Sequence, residues 1–377
     1  MVSSINEKRI VMNPIIKWPG GKSGEIAEIE ELIPSYQRYV EPFVGGGAVY
    51  FYLPNSKAII NDISVNLVNL YELIKRSDSN FKSILLNMND AWCLMQTQVS
   101  SKIETLVDIY YKYANGELDV STLGNCLFDV EKIILNVFKD HKAICNFEDF
   151  CNEVHRMVLD KVKRTVKNEI KLQMKLSLSD LKDNILTGFT SGFYMYMRNE
   201  HNRAEKDEKA SVSYRTALFY FVREFCYGSM FRYNSKGEFN IPYGGIAYNN
   251  KDFKKKIDHL FSKEIVDKFA ETEIMCGDFE EVFKKLDEND FMFVDPPYDT
   301  EFSDYEGRSF GKNDQERLRD ALASTKAKFI LIIKNTEFIF SLYDNEHFKI
   351  KSFDKNYSYC VKNRNNRSVD HLIITNY

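Results

Sequence analysis

The chain has 377 residues, 44% hydrophobic and 28% charged, with a formal net charge of −4. This balance excludes a disordered or fibrous chain, and the length allows one large domain or two ordinary ones with a real core. No apolar run reaches bilayer length, the opening "MVSSINEKRIVMN" lacks a signal core, and the seven scattered cysteines (93, 126, 145, 151, 226, 276, 360) form no CxxC pair; a cytoplasmic protein with reduced thiols is expected.

The first notable stretch is "KWPGGK", Lys17–Lys22. It sets a tryptophan beside a tight turn, where the ring can stack on a base or pack into the core. Its lysines suit a carboxylate or a phosphate. "RYVEPFVGGGAVYFYL" then predicts strand, glycine turn and helix, with Gly45, Gly46 and Gly47 at the turn. Loss of Cβ there lets a ligand approach the backbone at a helix N-terminus, although a plain tight turn has the same composition. "KAIINDISVNLVNLYELIKR" predicts a second strand turning into a helix, with Asp62 at the strand end. An acid about 20 residues past a glycine turn takes ribose hydroxyls in dinucleotide-binding folds; capping the next helix is the alternative.

Between residues 76 and 254 the texture changes to long stretches of helical spacing, such as "EVHRMVLDKVKRTVKNEIKLQMKLSL". Cys145 and Cys151 lie near His141 and His155, but the irregular spacing does not make a metal site. Residues 161–260 hold 19 Lys or Arg against 11 Asp or Glu, so a segment of +8 sits in a remainder of −12. That asymmetry points to a polyanion-binding face or to a solvated helix face. The aromatic and basic "FCYGSMFRYNSKGEFNIPYGG", Phe225–Gly245, predicts a hairpin around a Ser-Lys-Gly turn.

Strand patterns return after about residue 270: "TEIMCGDF", "DFMFVDPPY", "KFILIIKNT", then a closing antiparallel pair from "FKIKSFDKNYSYC" and "DHLIITNY". The expected fold is an α/β domain with an open, mostly parallel sheet, built from residues 1–75 and 255–377 and split by a largely helical insertion at 76–254.

Taken in order, "KWPGGK", "EPFVGGG", "NDIS", "RYNSKGEFNIPYG" and "DPPY" resemble the Dam-type DNA adenine N6-methyltransferases over residues 15–75 and 210–377. The resemblance implies the class I S-adenosylmethionine-dependent methyltransferase sheet, with a DNA-recognition insertion. It implies methyl transfer from S-adenosyl-L-methionine to an everted adenine of double-stranded DNA, leaving S-adenosyl-L-homocysteine and using no metal. By the family's motif, Asp295, Pro296, Pro297 and Tyr298 are the catalytic positions: the Asp295 carboxylate and the Pro296 carbonyl take the two N–H groups of the amine, and Tyr298 offers a stacking face. Trp18, Lys22, Glu41, Phe43, Gly45, Gly46, Gly47, Asp62, Asp278 and Asp295 match cofactor positions; a strand-end turn is the plainer role for Asp278. Lys17, Tyr227, Ser229, Met230, Arg232, Asn234, Lys236 and Asn240 match DNA-contacting positions, and the basic loop Val361–Ser368 is a further phosphate candidate. Ser229 stands where the family often has Asn, so target specificity does not transfer directly. The resemblance leaves a cognate restriction endonuclease open as a companion. N4-cytosine methylation, an RNA substrate and a DNA-binding regulator without activity are the alternatives.

Overall fold

Short runs of Val, Ile, Leu and Phe without polar interruption make strands buried on both faces, which is the signature of a parallel sheet covered by helices. "FMFV" and "FILII" fulfil it: every residue of both runs is at most 1% exposed. The computed structural model describes residues 12–22, 24–54, 56–297, 310–356 and 368–377. Within it the chain divides into two units, Met1–Arg76 with Leu260–Tyr377, and Ser77–His259.

The first unit is a seven-stranded sheet of β1 (Arg38–Glu41), β2 (Ala58–Asp62), β3 (Thr272–Cys276), β4 (Asp290–Val294), β5 (Lys328–Lys334), β6 (Lys349–Asn356) and β7 (Ser368–Thr375), in the order β3-β2-β1-β4-β5-β7-β6. β1 to β5 pair in parallel, and β7 runs antiparallel to both β5 and β6. This is the class I methyltransferase sheet that the resemblance implies, closing antiparallel strand included. Arg38 locks the central β1–β4 pair, its Nε and Nη2 donating to the two carboxylate oxygens of buried Asp290 at 2.9 and 2.7 Å. The connections leaving β1 and β4 run in opposite directions, so a crevice opens at the carboxyl ends of these neighbours.

The second unit is helical. It is built on helices Ser79–Ser101, Ile103–Ala114, Val120–Leu135, Phe147–Leu172, Leu178–Ala204 and Val212–Phe225. Five of the six begin at a side chain that accepts a first-turn N–H, from Asp78, Asp119, Asn146, Ser177 and Ser211. Trp92 is the core anchor, 4.4 Å from the Phe225 ring and flanked by Phe193, Phe221 and Tyr243. Helices Phe147–Leu172 and Leu178–Ala204 meet backbone to backbone at Gly188 and Gly192; a Cβ on Gly192 would stand 2.5 Å from Val154 Cα.

His201 lies 1% exposed between Phe219 and Phe239, and its nearest carboxylate is Glu205 at 3.8 Å. Burial holds its pKa down at about 4, so the folded protein keeps a neutral ring that the unfolded chain protonates below about 6.5. This stability is complete above pH 6.5 and is lost as pH falls toward 4, a swing of about 3 kcal/mol. Urea melts at pH 7 and 4.5 are expected to show that decline, and His201→Phe to flatten it; equal slopes in both proteins would remove His201 as its source.

Candidate active site

At the carboxyl end of β1 the chain turns through Pro42 to Gly47, and hydrogen bonds from the next strand fix the turn. Val44 N–H donates to the Asn61 carbonyl at 2.9 Å, and Asn61 Nδ2 donates to Pro42 O and Gly277 O at 2.9 and 3.0 Å. One side chain thus ties the loops after β1 and β3 to β2. Gly45 and Gly47 have φ of +48° and +69°, the left-handed region where glycine carries no Cβ penalty. A Cβ on Gly45 would meet Trp18 Cδ1 at 2.7 Å, and one on Gly46 would meet Ile16 O and Trp18 Cβ at 3.0 Å. Half-buried Trp18 therefore packs on the glycine turn, close enough that a Cβ on Gly45 would require the indole to shift.

Asp62 ends β2. Its Oδ2 accepts from Gly45 N–H and its Oδ1 from Ser64 N–H, both at 2.9 Å. Burial raises its pKa, while the Ser64, Gly45 and Ile63 amides work against the rise. The next helix, Val65–Lys75, is capped by the Ser64 hydroxyl, with Leu67 N–H as donor. Asp62 is thereby left as a turn-bound carboxylate beside the glycines, with acceptor capacity remaining.

Asp295 follows β4, the strand beside β1. Its Oδ1 lies 2.5 Å from Lys22 Nζ, and the ammonium also donates to Gly20 O at 3.1 Å. Lys22 is 2% exposed and Asp295 19%. The "KWPGGK" turn thus delivers a buried cation to the carboxylate of "DPPY". Glu41, at the end of β1, is 2% exposed and accepts from the Tyr39 hydroxyl at 2.8 Å. Burial lifts its pKa well above the usual carboxylate range; the Tyr39 hydroxyl opposes the shift and the Asp295 charge adds to it. Behind them Lys268 donates to Leu53 O and Pro54 O at 2.8 and 3.0 Å, closing the short helix after the glycine turn. Burial lowers its pKa to about 8, against the pull of Glu41.

Phe43 is half-buried and packs against Phe279 and Phe310 at 5.4 and 5.6 Å, giving an aromatic cluster beside the loops after β1 and β3. Asp278 accepts from Glu280 N–H and from Arg317 Nη2, both at 2.9 Å, so it serves as a turn residue within an exposed ion cluster. Pro297 O accepts from Gln315 Nε2 at 3.1 Å. Tyr298 lies outside the described residues, as do residues 361–367 of the basic stretch.

In the second unit the segment Phe225–Gly245 carries two isolated antiparallel bridges, joining Cys226 to Tyr243 and Tyr233 to Phe239. Two neighbouring helices hold it. Tyr194 hydroxyl and Arg198 Nη1 donate to Ile241 O at 2.9 and 3.2 Å, and Asn202 makes a donor–acceptor pair with the Phe239 backbone. Buried Arg223 donates to Met230 O at 2.6 Å and lies over the Phe231 ring. Tyr227, Arg232 and Lys236 are exposed, Ser229 and Met230 half-buried, and Ser229 has a φ of +51°. Arg232 Nε donates to Asn240 Oδ1 at 3.0 Å. The Asn234 side chain is spent on its own turn, accepting from Lys236 and Glu238 N–H and donating to the Glu238 carboxylate. Lys17 is an exposed residue of the first unit.

Several residues that the motifs did not single out build the first-unit site: Asn61, Lys268 and Gln315. Asn61 sits inside "NDIS", where the adjacent acid drew attention. Gln315 stands among polar neighbours, and only the folded helix places it on the inward stripe.

A family model described as "D12 class N6 adenine-specific DNA methyltransferase" matches residues 18–107 and 128–359. The Type II methyltransferase M.CviBI of Paramecium bursaria Chlorella virus NC1A is 26% identical over 97% of this chain and 100% of its own length. M.MjaIII of Methanocaldococcus jannaschii, also a Type II methyltransferase, is 26% identical over 97% and 99%. The DNA adenine methylase of Haemophilus influenzae is 24% identical over 89% and 84%.

Proposed function

This chain belongs to the D12 class of N6 adenine-specific DNA methyltransferases, and from that premise we propose how its residues divide the work. Membership implies use of S-adenosylmethionine and a DNA substrate; the residues of the first unit fit that cofactor. The glycine turn Gly45–Gly47 admits a ligand against bare backbone, Asp62 offers a fixed acceptor for ribose hydroxyls, and the Phe43 cluster offers an aromatic surface for the adenine. Asn61 Oδ1, buried and without a hydrogen-bond partner among the described residues, is a further acceptor beside the turn. When bound, S-adenosylmethionine supplies an electrophilic methyl group on a sulfonium.

The observation that carries the reading is Asp295, held at the β4 end by buried Lys22 next to the β1–β4 crevice. An adenine amine is a poor nucleophile because its lone pair is delocalised into the ring. The Asp295 carboxylate and the Pro296 carbonyl accept its two N–H groups, which draws the nitrogen toward a tetrahedral shape. The charge of Asp295 stabilises the positive charge that develops on nitrogen. Lys22 fixes the carboxylate before the base arrives, so little reorganisation is left for the reacting complex. The two prolines stiffen the turn that aims the carbonyl.

A base inside the duplex cannot reach such a site, so the adenine is everted at a cost of a few kcal/mol. The exposed Tyr227, Arg232 and Lys236 are the hairpin groups proposed to engage DNA, with Arg232, oriented by Asn240, as the reader of a base edge. A restriction–modification pair, with an endonuclease cutting the same unmethylated sequence, is the setting that the Type II names of the two relatives support.

Duplex DNA lacking modified bases, incubated with the protein and S-adenosylmethionine and then digested to nucleosides, is expected to yield N6-methyldeoxyadenosine by mass spectrometry. N4-methyldeoxycytidine alone would overturn the assignment. A matched RNA duplex is expected to compete poorly for methyl transfer.

A further inference from the structure

We infer that Gln315 is a positioning residue for methyl transfer: its side-chain amide holds the Pro297 carbonyl and so sets the orientation of the "DPPY" turn. The inference rests on the roles proposed above for Asp295 and Pro296.

The helix Lys312–Ser324 carries "KNDQERLRDALAS", and only Gln315, Leu318 and Leu322 on it are buried. Their spacing of three and four residues marks the single inward stripe, and the two leucines join the core beneath β4 and β5. Packing alone would place a third apolar residue at the head of that stripe. Instead there is a glutamine at 0% exposure, and a buried amide is costly unless its hydrogen bonds are made.

One of them is made. Nε2 donates to Pro297 O at 3.1 Å, and because a carbonyl only accepts, the amide must present its nitrogen there. The other group is not satisfied: Oε1 is buried with no partner among the described residues. A residue that leaves a buried acceptor unpaired is poorly chosen for stability. Its gain lies in what it holds. Pro297 is one residue beyond the carbonyl proposed to grip the amine. Pro297 O belongs to the peptide that follows the one carrying the Pro296 carbonyl, so holding it pins the downstream end of the turn and limits how far the Pro296–Pro297 peptide can tilt. The start of the helix is fixed in its turn, since Asp314 Oδ2 accepts from Gly311 N–H at 3.0 Å, so Gln315 is anchored on a rigid element.

The full-length protein is tested as Gln315→Met, which keeps length and volume but cannot donate, with Gln315→Glu and Asp295→Asn in parallel. Single-turnover methyl transfer to unmethylated plasmid DNA, calorimetric affinity for S-adenosylhomocysteine, DNA binding and the melting temperature are measured for each. Gln315→Met is expected to melt no lower than the parent and to bind both ligands within about twofold, yet to transfer methyl about 100-fold more slowly, the scale of a small misplacement of reacting groups. A parental rate would overturn the inference. Should Gln315→Met fail to fold, Gln315→Glu decides. Its neutral carboxyl donates to Pro297 O and its carboxylate cannot, so its rate should rise toward acid pH at constant fold, a dependence absent from the parent; a parental rate and pH profile would overturn the inference equally. Asp295→Asn separates the two levels. If it transfers methyl at the parental rate, the roles of Asp295 and Pro296 fall and this inference with them. If it is impaired while Gln315→Met is not, only the role of Gln315 falls.

Discussion

Asp295→Asn is expected to lower single-turnover methyl transfer by about 100- to 1,000-fold, the scale on which removal of one preorganised electrostatic contact is felt. The amide keeps the size of the carboxylate and one carbonyl oxygen, so the Lys22 ammonium retains an acceptor, and the Pro296 carbonyl still takes one N–H of the target amine. What disappears is the second acceptor, replaced by an NH2 donor, and with it the negative charge proposed to meet the charge growing on nitrogen. Asp295→Ala is the harsher change and the less informative one. Lys22 is 2% exposed, and breaking a buried pair from one side costs about 3 kcal/mol or more because the remaining ion is stranded. An inactive alanine variant would therefore mix lost chemistry with local collapse. Affinity of the Asn variant for DNA, read by filter binding, should stay close to parental. A kcat unchanged by this substitution would remove Asp295 from the mechanism.

The second large effect concerns the helical unit. Gly192→Ala adds one carbon, and that carbon would stand 2.5 Å from Val154 Cα, 3.1 Å from its Cγ2 and 3.2 Å from its Cβ. The obstacle is backbone, which cannot swing away, so the two longest helices must separate along their contact. Overpacking of this kind costs about 3 kcal/mol, and the melting transition should drop by roughly 6–12 °C. Gly124→Ala is the control. It lies within the helix Val120–Leu135, nothing stands within 4 Å of its added Cβ, and the helix preference for alanine should raise stability by up to about 1 kcal/mol. Calorimetry of the two variants tests both signs, and a Gly192→Ala protein as stable as its parent would refute the close approach of the backbones.

The contrast between Gly45–Gly47 and Gly192 marks what is legible in a sequence. Three consecutive glycines between a strand pattern and a helix pattern announce themselves, because each step of the reading is local. Asp62 is found by its distance along the same chain, and "DPPY" by its order among other motifs. The sheet follows from apolar runs too short and too β-branched for helices. Gly188 and Gly192 are separated by one helical turn in an unremarkable stretch. Their meaning depends on Val154 and Val158 of another helix, which no local pattern identifies. Lys22 and Asp295 are 273 positions apart, so motif order could assign both to the proposed cofactor region without pairing them. Gln315 stands among polar neighbours in "KNDQERLRD", and only its burial on the folded helix marks it out. Asn234 illustrates the reverse difficulty: its type suits a phosphate, yet its side chain closes its own turn.

The chain order of the sheet also bears on how the protein is made. β1 ends at Glu41, and its partner β4 begins at Asp290, so the two central strands leave the ribosome far apart in time. Synthesis at about 5–20 residues per second puts more than ten seconds between them. By then the whole of Ser77–His259 has emerged, and its short-range helical contacts can form early. The opening strands must wait beside an already folded neighbour until the closing segment arrives. Nascent chains halted before residue 290 should hold a protease-resistant middle and a vulnerable beginning.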